Sequence, residues 1–369
     1  MTVPLADPRA DLSALRGDIL TALARVVDSG AYILGPEVTA FEHALAAELG
    51  VVGAVGVGSG TDALVLALLA LEVGPGDEVI TVSHTAGPTV AAINMTGATP
   101  VLVDVEPSTY CLDPATLEAA VSPRTRAILP VHLYGHPADL HRIREFAHGR
   151  GIAVVEDCAQ AQQATISGRM VGSFGELSCF SFYPTKNLGA IGDGGAVAAA
   201  GDKLVERLRR LRTYGWTKPQ YAELSLGRCS RLDEMQAAIL NVKLRNLNDA
   251  VEQRRTIARL YNEAFADLPL RLPTEREDCR HVYHLYVVRS DRSAALEQHL
   301  SGLGIGTGRH YPFPVHVQPG LAFGARVPAP LTVTEAIVGE ILTLPLYPSL
   351  SPEQQARVIG GVRAFFGKS

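Results

Sequence analysis

The sequence has no excess of basic residues. Its formal charge is -5 and its pI is near 6.1, with Lys and Arg scattered along the chain. The electrostatic footprint of a nucleic-acid binder is therefore missing, and nucleic acid is excluded as an expected partner. It also has no apolar run of the roughly 18 to 20 residues that a membrane span requires, and Met1 to Ala10 carries no charged segment followed by an apolar one. A soluble chain kept in the cytoplasm is expected, with no membrane partner. Cysteine is sparse and unpaired in sequence: Cys111, Cys158, Cys179, Cys229 and Cys279 are odd in number and far apart. They fit neither a disulfide framework nor a zinc site, and they suit a reducing compartment.

What the chain does have is length and apolar content. Its 369 residues, 47% of them hydrophobic, suffice for a large domain plus a smaller one. From about Val51 to Val197, short β-branched runs alternate with helical stretches, the pattern of parallel strands joined by helices. The expected strands are Ala54 to Val57, Glu78 to Val82, Thr99 to Val103, Thr125 to Pro130, Ala153 to Glu156, Leu177 to Ser181 and Gly195 to Ala199. Helices are expected at Thr61 to Leu71, Thr89 to Thr96, Asp113 to Ala120, Asp139 to Gly149 and Asp202 to Arg212. Arg231 to Phe265 keeps a helical period without proline or glycine and predicts one long helix or two joined ones leaving the sheet. This sets the expected division: residues 1–245 as the large domain and 246–369 as the small one. The latter mixes expected strands (His284 to Arg289, Gly304 to His310) with helices (Ser293 to Gly302, Thr334 to Glu340, Pro352 to Phe366), a compact α+β unit.

In such a sheet, ligands bind outside the carboxyl ends of the strands. Gly58-Ser59-Gly60-Thr61-Asp62 leads from a strand directly into a helix, and free N–H groups with the Ser59 and Thr61 hydroxyls make a phosphate cradle. The plainer alternative is a glycine-rich turn with a Ser or Thr cap. A dinucleotide fingerprint is a poor match, because Thr61 stands where a further glycine is expected. Val154-Val155-Glu156-Asp157 runs an apolar strand into an acidic pair. A strand-end carboxylate can hold the protonated nitrogen of a pyridine ring; Asp157 is the candidate, Glu156 points the other way, and a helix N-cap is the alternative for Asp157. Lys186 lies in the aromatic and apolar stretch Cys179-Phe180-Ser181-Phe182-Tyr183-Pro184-Thr185-Lys186, where poor hydration lowers an amine pKa from about 10.4 and frees the nucleophile for a Schiff base. Arg309-His310-Tyr311-Pro312-Phe313-Pro314-Val315-His316 is a rigid polar and aromatic stretch suited to lining a substrate cleft. The pairs His132/His136 and His281/His284 bring no obvious third ligand, and no metal is expected.

Taken with Ser230-Arg231-Leu232-Asp233-Glu234-Met235-Gln236, these motifs resemble the DegT/StrS family of sugar aminotransferases, of the fold-type I class that uses pyridoxal 5'-phosphate. The resemblance runs from Tyr32-Ile33-Leu34-Gly35-Pro36 to Leu344-Pro345-Leu346-Tyr347-Pro348. It implies an α/β fold whose large domain carries a mostly parallel seven-stranded sheet flanked by helices, and a homodimer whose active sites are each built from both subunits. It further implies Lys186 as the Schiff-base lysine, Asp157 facing the pyridine nitrogen, Gln160 near the ring hydroxyl, and Gly60, Thr61 and Ser181 around the phosphate. The amino donor would be an amino acid such as glutamate, and the acceptor a keto-sugar, most plausibly linked to a nucleotide.

Relatives that dehydrate deoxysugars carry histidine at the lysine position, so Lys186 favours transamination over a dehydratase or lyase. An intact Lys186 and Asp157 also disfavour a non-catalytic regulator on the same fold. Two departures stand out. Ala86 occupies the place of an aromatic residue that stacks on the cofactor in many relatives, with His84 the substitute candidate. Cys229 occupies the place of an asparagine that reaches the partner subunit's cofactor phosphate. Tyr214 and Arg231 join His310, Tyr311 and His316 as candidate substrate contacts, Arg231 as a carboxylate partner or a helix-start ion pair.

Overall fold

A computed structural model describes residues 2–368. Two helices that the strand-and-helix pattern does not announce open the chain, α1 (Arg16–Ser29) and α2 (Pro36–Leu49). Their ends carry clear local signals. Pro36 sits at the first turn of α2, and Gly30 and Gly50 close the two helices in the left-handed conformation, which costs glycine little.

All seven expected sheet strands form: β1 (Gly53–Val57), β2 (Glu78–Val82), β3 (Thr99–Val103), β4 (Thr125–Ile128), β5 (Ala153–Asp157), β6 (Leu177–Ser181) and β7 (Gly195–Ala199). They lie in the order β1-β7-β6-β5-β4-β2-β3. Every pairing from β3 across to β6 is parallel, while β7 runs antiparallel to both β1 and β6. Helices α3 (Gly60–Ala70), α4 (Gly87–Thr96), α5 (Leu140–His148) and α6 (Asp202–Leu211) flank the sheet. In α3 every residue from Ala63 to Ala70 is buried, so its apolar circumference packs on all sides, as a helix without a polar face must. Asp113 to Ala120 forms less than expected: a 3-10 turn at Pro114–Thr116 and a single α-turn at Leu117–Ala120.

The long helical stretch is two helices, α7 (Glu234–Leu244) and α8 (Leu247–Phe265). Asp233 caps α7 by accepting from the Gln236 N–H at 2.9 Å. At the break, the Asn246 amide folds back to the Val242 carbonyl at 3.0 Å, a side-chain bond that competes with helix continuation.

Beyond α8, strand β8 (Tyr286–Arg289) pairs antiparallel with β9 (Ile341–Leu344), among α9 (Ser293–Gly302), α10 (Thr332–Val338) and α11 (Pro352–Phe365). Here the sequence expectation needs correction. Gly304 to His310 makes only single bridges, Val3 to Ile305 and Gly308 to Thr343, and β9 takes the ladder place beside β8. Glycine explains it: Gly304 has φ +71°, and a Cβ at Gly306 would lie 2.9 Å from the Leu5 backbone nitrogen, so the N-terminal segment occupies the space a regular strand would need.

Candidate active site

The carboxyl ends of the central strands converge on a cavity of about 250 Å³ lined by Ser59, Gly60, Thr61, Ala86, Asp157, Gln160, Ser181 and Lys186, among others. Topology puts them there. Asp157 is the last residue of β5, Ser181 the last of β6, and Ser59 follows β1 as the N-cap of α3. The Ser59 hydroxyl accepts from the Asp62 N–H at 3.1 Å, so the cap reading and the cradle reading of this motif coexist: one donor is satisfied locally, and the helix's leading N–H groups have no partner within the helix. A Cβ on Gly60 would fall 2.6 Å from the Ser181 Cβ, so the two chain segments meet closely enough to demand glycine.

Asp157 is buried. Its Oδ1 accepts from the Ala159 N–H at 3.1 Å and its Oδ2 from the Thr89 hydroxyl at 3.0 Å. Desolvation raises its pKa, opposed by these bonds and by Lys186, and a cationic group bound beside it would favour the carboxylate form further. Lys186 has its amine lowered from 10.5 to about 8, by burial against the smaller opposing pull of Asp157. Its loop is closed at the base, where Ser181 pairs with Gly195 and the Phe182 N–H reaches the Gly194 carbonyl at 2.8 Å. Glu156, one residue before Asp157, faces away as alternation requires. Its carboxylate accepts the N–H groups of Gly172, Phe174 and Gly175 at 2.7–2.8 Å. His132 and Cys158 lie beside it with metal-type ligand atoms. However, His132 Nδ1 accepts from the Ala138 N–H at 3.0 Å, leaving Nε2 to meet Glu156 at 3.2 Å, and these contacts account for the cluster as a structural brace.

Gln160 bridges outward. Its Oε1 accepts from the Tyr134 N–H at 2.7 Å and its amide donates to the Tyr311 hydroxyl at 2.9 Å. Burial pushes that phenol up to about 12. The preceding His310 bonds Thr343 through Nδ1 at 2.8 Å, and its carbonyl accepts the Tyr134 hydroxyl. His310 and Tyr311 are thus tied to the site's edge.

Five other sequence candidates do not line this cavity. His84 does not line the cavity; its Nε2 meets the Tyr134 hydroxyl at 2.7 Å beside Tyr110, and burial lowers its pKa to about 3. The cavity wall in that segment is Thr85, Ala86, Pro88 and Thr89, because the chain turns into α4 immediately after His84. His316 packs on Ser83, Nδ1 to Oγ at 2.8 Å, and faces Glu335 at 3.5 Å. Tyr214, Cys229 and Arg231 cluster beside a small hairpin (Trp216–Lys218 with Tyr221–Ala222) and are not among the cavity's lining residues, Tyr214 and Cys229 exposed, with Arg231 Nη2 3.0 Å from Cys229 Sγ; the neighbouring Ser230 hydroxyl accepts from the Gly58 N–H at 3.0 Å, so the cluster adjoins the cradle turn. Sequence reasoning did not single out Thr89, the partner of Asp157. The only signal was its place in the Ser83 to Thr89 segment, since no spacing rule links it to a residue 68 positions away.

The chain matches the DegT/DnrJ/EryC1/StrS aminotransferase family over residues 13–363. It belongs to that family. Among its relatives, the dTDP-3-amino-3,4,6-trideoxy-alpha-D-glucose transaminase of Streptomyces venezuelae is 47% identical, covering 98% of this chain and 95% of that one. The UDP-N-acetyl-3-dehydro-alpha-D-glucosamine 3-aminotransferase of Acidithiobacillus ferrooxidans is 44% identical, over 98% and 97%. The crystal structure of S. venezuelae DesV in complex with a ketimine intermediate superposes with a TM-score of 0.96 at 46% identity, over 100% of this chain and 99% of that one. The aminotransferase is therefore a pyridoxal-phosphate-dependent sugar aminotransferase of amino-sugar biosynthesis. The residues present suit that cofactor: a glycine-permitted cradle, a buried carboxylate short of a cation, and a lysine of lowered pKa share one cavity. Among the described residues, no helix is long and apolar enough to cross a membrane.

Proposed function

We propose that this aminotransferase moves an amino group from an amino acid, glutamate in the first instance, to a nucleotide-linked keto-deoxysugar, working as a cytoplasmic homodimer with shared active sites. The juxtaposition of Lys186 and Asp157 in one buried cavity carries the reading. In it, Ser59, Gly60, Thr61 and Ser181 hold the cofactor phosphate, Asp157 its ring nitrogen, and Gln160 its ring hydroxyl. Once bound, pyridoxal phosphate supplies an electron sink that makes the C–H bond beside the amino nitrogen acidic.

The remaining work falls to the chain. Lys186, with an amine near pH 8, is suited to take a proton and return it at neutral pH, the condition for efficient general acid–base catalysis. Thr89 and the Ala159 N–H orient the Asp157 carboxylate. Gln160, fixed by Tyr134, sets the Tyr311 hydroxyl at the cavity's edge, and His310 and Tyr311 meet the sugar. The cluster of Tyr214, Cys229 and Arg231 serves the partner subunit's site, which accounts for its place outside the lining of the cavity in its own chain. In the same reading, residues 1–245 and 246–369 act as the two bodies around the substrate.

The nucleotide-linked acceptor is supported by the dTDP- and UDP-sugar relatives. The test is a visible spectrum of the protein with pyridoxal phosphate, before and after glutamate. Wild type should show a cofactor band that glutamate bleaches and that Lys186→Ala cannot form; a band unaffected by the substitution would remove the reading.

A further inference from the structure

The cradle turn has an outer side as well as an inner one. Ser59, Gly60 and Thr61 line the cofactor cavity, whereas Gly58 and Asp62, at the two ends of the same turn, do not. Both ends are held instead by an extended strap at residues 228–231. The buried Ser230 hydroxyl accepts from the Gly58 N–H at 3.0 Å and donates to Asp62 Oδ2 at 2.7 Å. Arg228 Nη1 meets Asp62 Oδ1 at 3.3 Å, so each carboxylate oxygen has a donor from the strap.

The strap is itself fixed. Its Arg228 N–H reaches the Leu211 carbonyl at 2.9 Å and its Ser230 N–H the Arg212 carbonyl at 3.0 Å, with Cys229 bridged antiparallel to Thr213. Arg212, at the end of α6, donates through Nη1 to the Gly56 carbonyl at 2.8 Å, and Glu42 accepts the Gly56 N–H at 2.8 Å. The end of α6 and the strap together anchor the chain from the last residues of β1 to the first turn of α3. Extended backbone sends alternate side chains to opposite sides. Arg228 and Ser230 accordingly turn to the cradle of their own chain, while Cys229 and Arg231, in contact with each other, form the other row.

Asp62 sets an electrostatic problem for a phosphate cradle. A carboxylate in the first turn of a helix uses the same positive end that would receive an anion. Asp62 is the third residue of α3, directly after Thr61, and its charge left alone opposes a phosphate held by Ser59, Gly60 and Thr61. Arg228 supplies the opposite charge. The two side chains are 35% and 26% exposed, so water screens the pair only in part.

We propose that Arg228 is a positioning residue for the cofactor phosphate: paired with Asp62 it cancels the negative charge at the start of α3, and with Ser230 it fixes the turn that receives the anion. The inference rests on the preceding assignment of the phosphate to Ser59, Gly60, Thr61 and Ser181, and adds what makes that cradle receptive to an anion.

The test is a titration of cofactor absorbance in the full-length protein freed of cofactor, with pyridoxal phosphate and with pyridoxal, which lacks the phosphate. Wild type is compared with Arg228→Met, Asp62→Asn and the double variant Asp62→Asn/Arg228→Met. In Arg228→Met the dissociation constant of pyridoxal phosphate should rise about tenfold, the scale of one uncompensated charge at a partly solvated site, with that of pyridoxal unchanged. Asp62→Asn should bind pyridoxal phosphate at least as tightly as wild type, and the double variant should return to within about threefold of wild type, because the two substitutions act on one pair. Equal pyridoxal phosphate affinity in wild type and Arg228→Met, equal losses for both ligands, or no recovery in the double variant overturns the proposal. A wild type without a cofactor band, or a band that Lys186→Ala keeps, overturns the aminotransferase reading instead, so the two failures are told apart.

Discussion

The Thr89 hydroxyl donates to Asp157 Oδ2 at 3.0 Å and shares a second contact, at 2.9 Å, with the Thr85 hydroxyl. A short polar chain from the start of α4 therefore reaches the end of β5 and orients a carboxylate whose pKa burial raises and the Thr89 bond lowers. Thr89→Val keeps the shape and removes the donor. A hydrogen bond to a charged group contributes about 1.5–3 kcal/mol, so the dissociation constant of pyridoxal phosphate should rise about tenfold or more. Titration of the cofactor absorbance checks this, and an unchanged constant would show that Thr89 does not orient Asp157.

Lys186 should titrate near pH 8 in the cofactor-free protein. Its folded value lies below its unfolded one, so the unfolded chain binds the extra proton between about pH 8 and 10.5. Burial of this group therefore costs stability in full below that window, and the cost fades as pH rises through it. Reductive methylation of Lys186, followed by mass spectrometry, should show a rate midpoint near pH 8, shifted lower in Asp157→Asn because the carboxylate pulls the value up. A midpoint near 10.5 would contradict the burial argument.

Gly60→Ala places a methyl 2.6 Å from the Ser181 Cβ, so β6 and the start of α3 must part. Cofactor retention after dialysis should fall at least tenfold, with a small change in melting temperature. The double variant Gly60→Ala/Ser181→Gly restores the room but also removes a hydroxyl assigned to the phosphate, so it is compared with Ser181→Gly alone: equal retention in the two would trace the loss to crowding, and a further loss in the double variant would contradict it.

Glu156→Gln replaces an acceptor of three backbone N–H groups with an amide that turns a donor toward them. The expected loss is about 2–4 kcal/mol, the range for disrupting a buried charged network. Urea unfolding of the apoprotein measures it, and a loss under about 0.5 kcal/mol, the ordinary spread of surface substitutions, would mean that the brace around β5 is dispensable.

His84→Ala should leave cofactor retention near wild type, because the ring packs on Tyr134 and Tyr110 rather than on the cavity. Stability should fall instead, by about 1–3 kcal/mol for the lost contact to the Tyr134 hydroxyl, which keeps its bond to the His310 carbonyl, and for the vacated space. Dialysis and thermal melting separate the two effects, and loss of cofactor with an unchanged melt would restore His84 to the site.

The sheet was legible because its strands are short runs rich in apolar and β-branched residues that end in polar or glycine-rich turns, the pattern of a sheet buried on both faces. Ser59 and Asp157 stood out because they sit at the ends of those runs, and Lys186 because an amine in the aromatic and apolar stretch after β6 is poorly hydrated. Gly304 to His310 misled because the glycines there admit the N-terminal segment, and Ile341–Leu344 takes the ladder place beside β8. His84 and Ala86 differ by two positions and by which way a turn is taken, which periodicity does not encode. Thr89 and the pairing of Arg228 with Asp62 depend on segments brought together across the chain, so no local pattern marks them.

The antiparallel strand β7 has a mechanical consequence. Because it runs back beside β6, the segment carrying Lys186 leaves the sheet and returns at the same end, and the pairing of Ser181 with Gly195 clamps its two feet together. A lysine on such a clamped arch has little reach and little freedom. With pyridoxal phosphate bound in the cavity, such an arch would hold the Lys186 amine beside it throughout, so that one side chain could take and return protons without leaving the site.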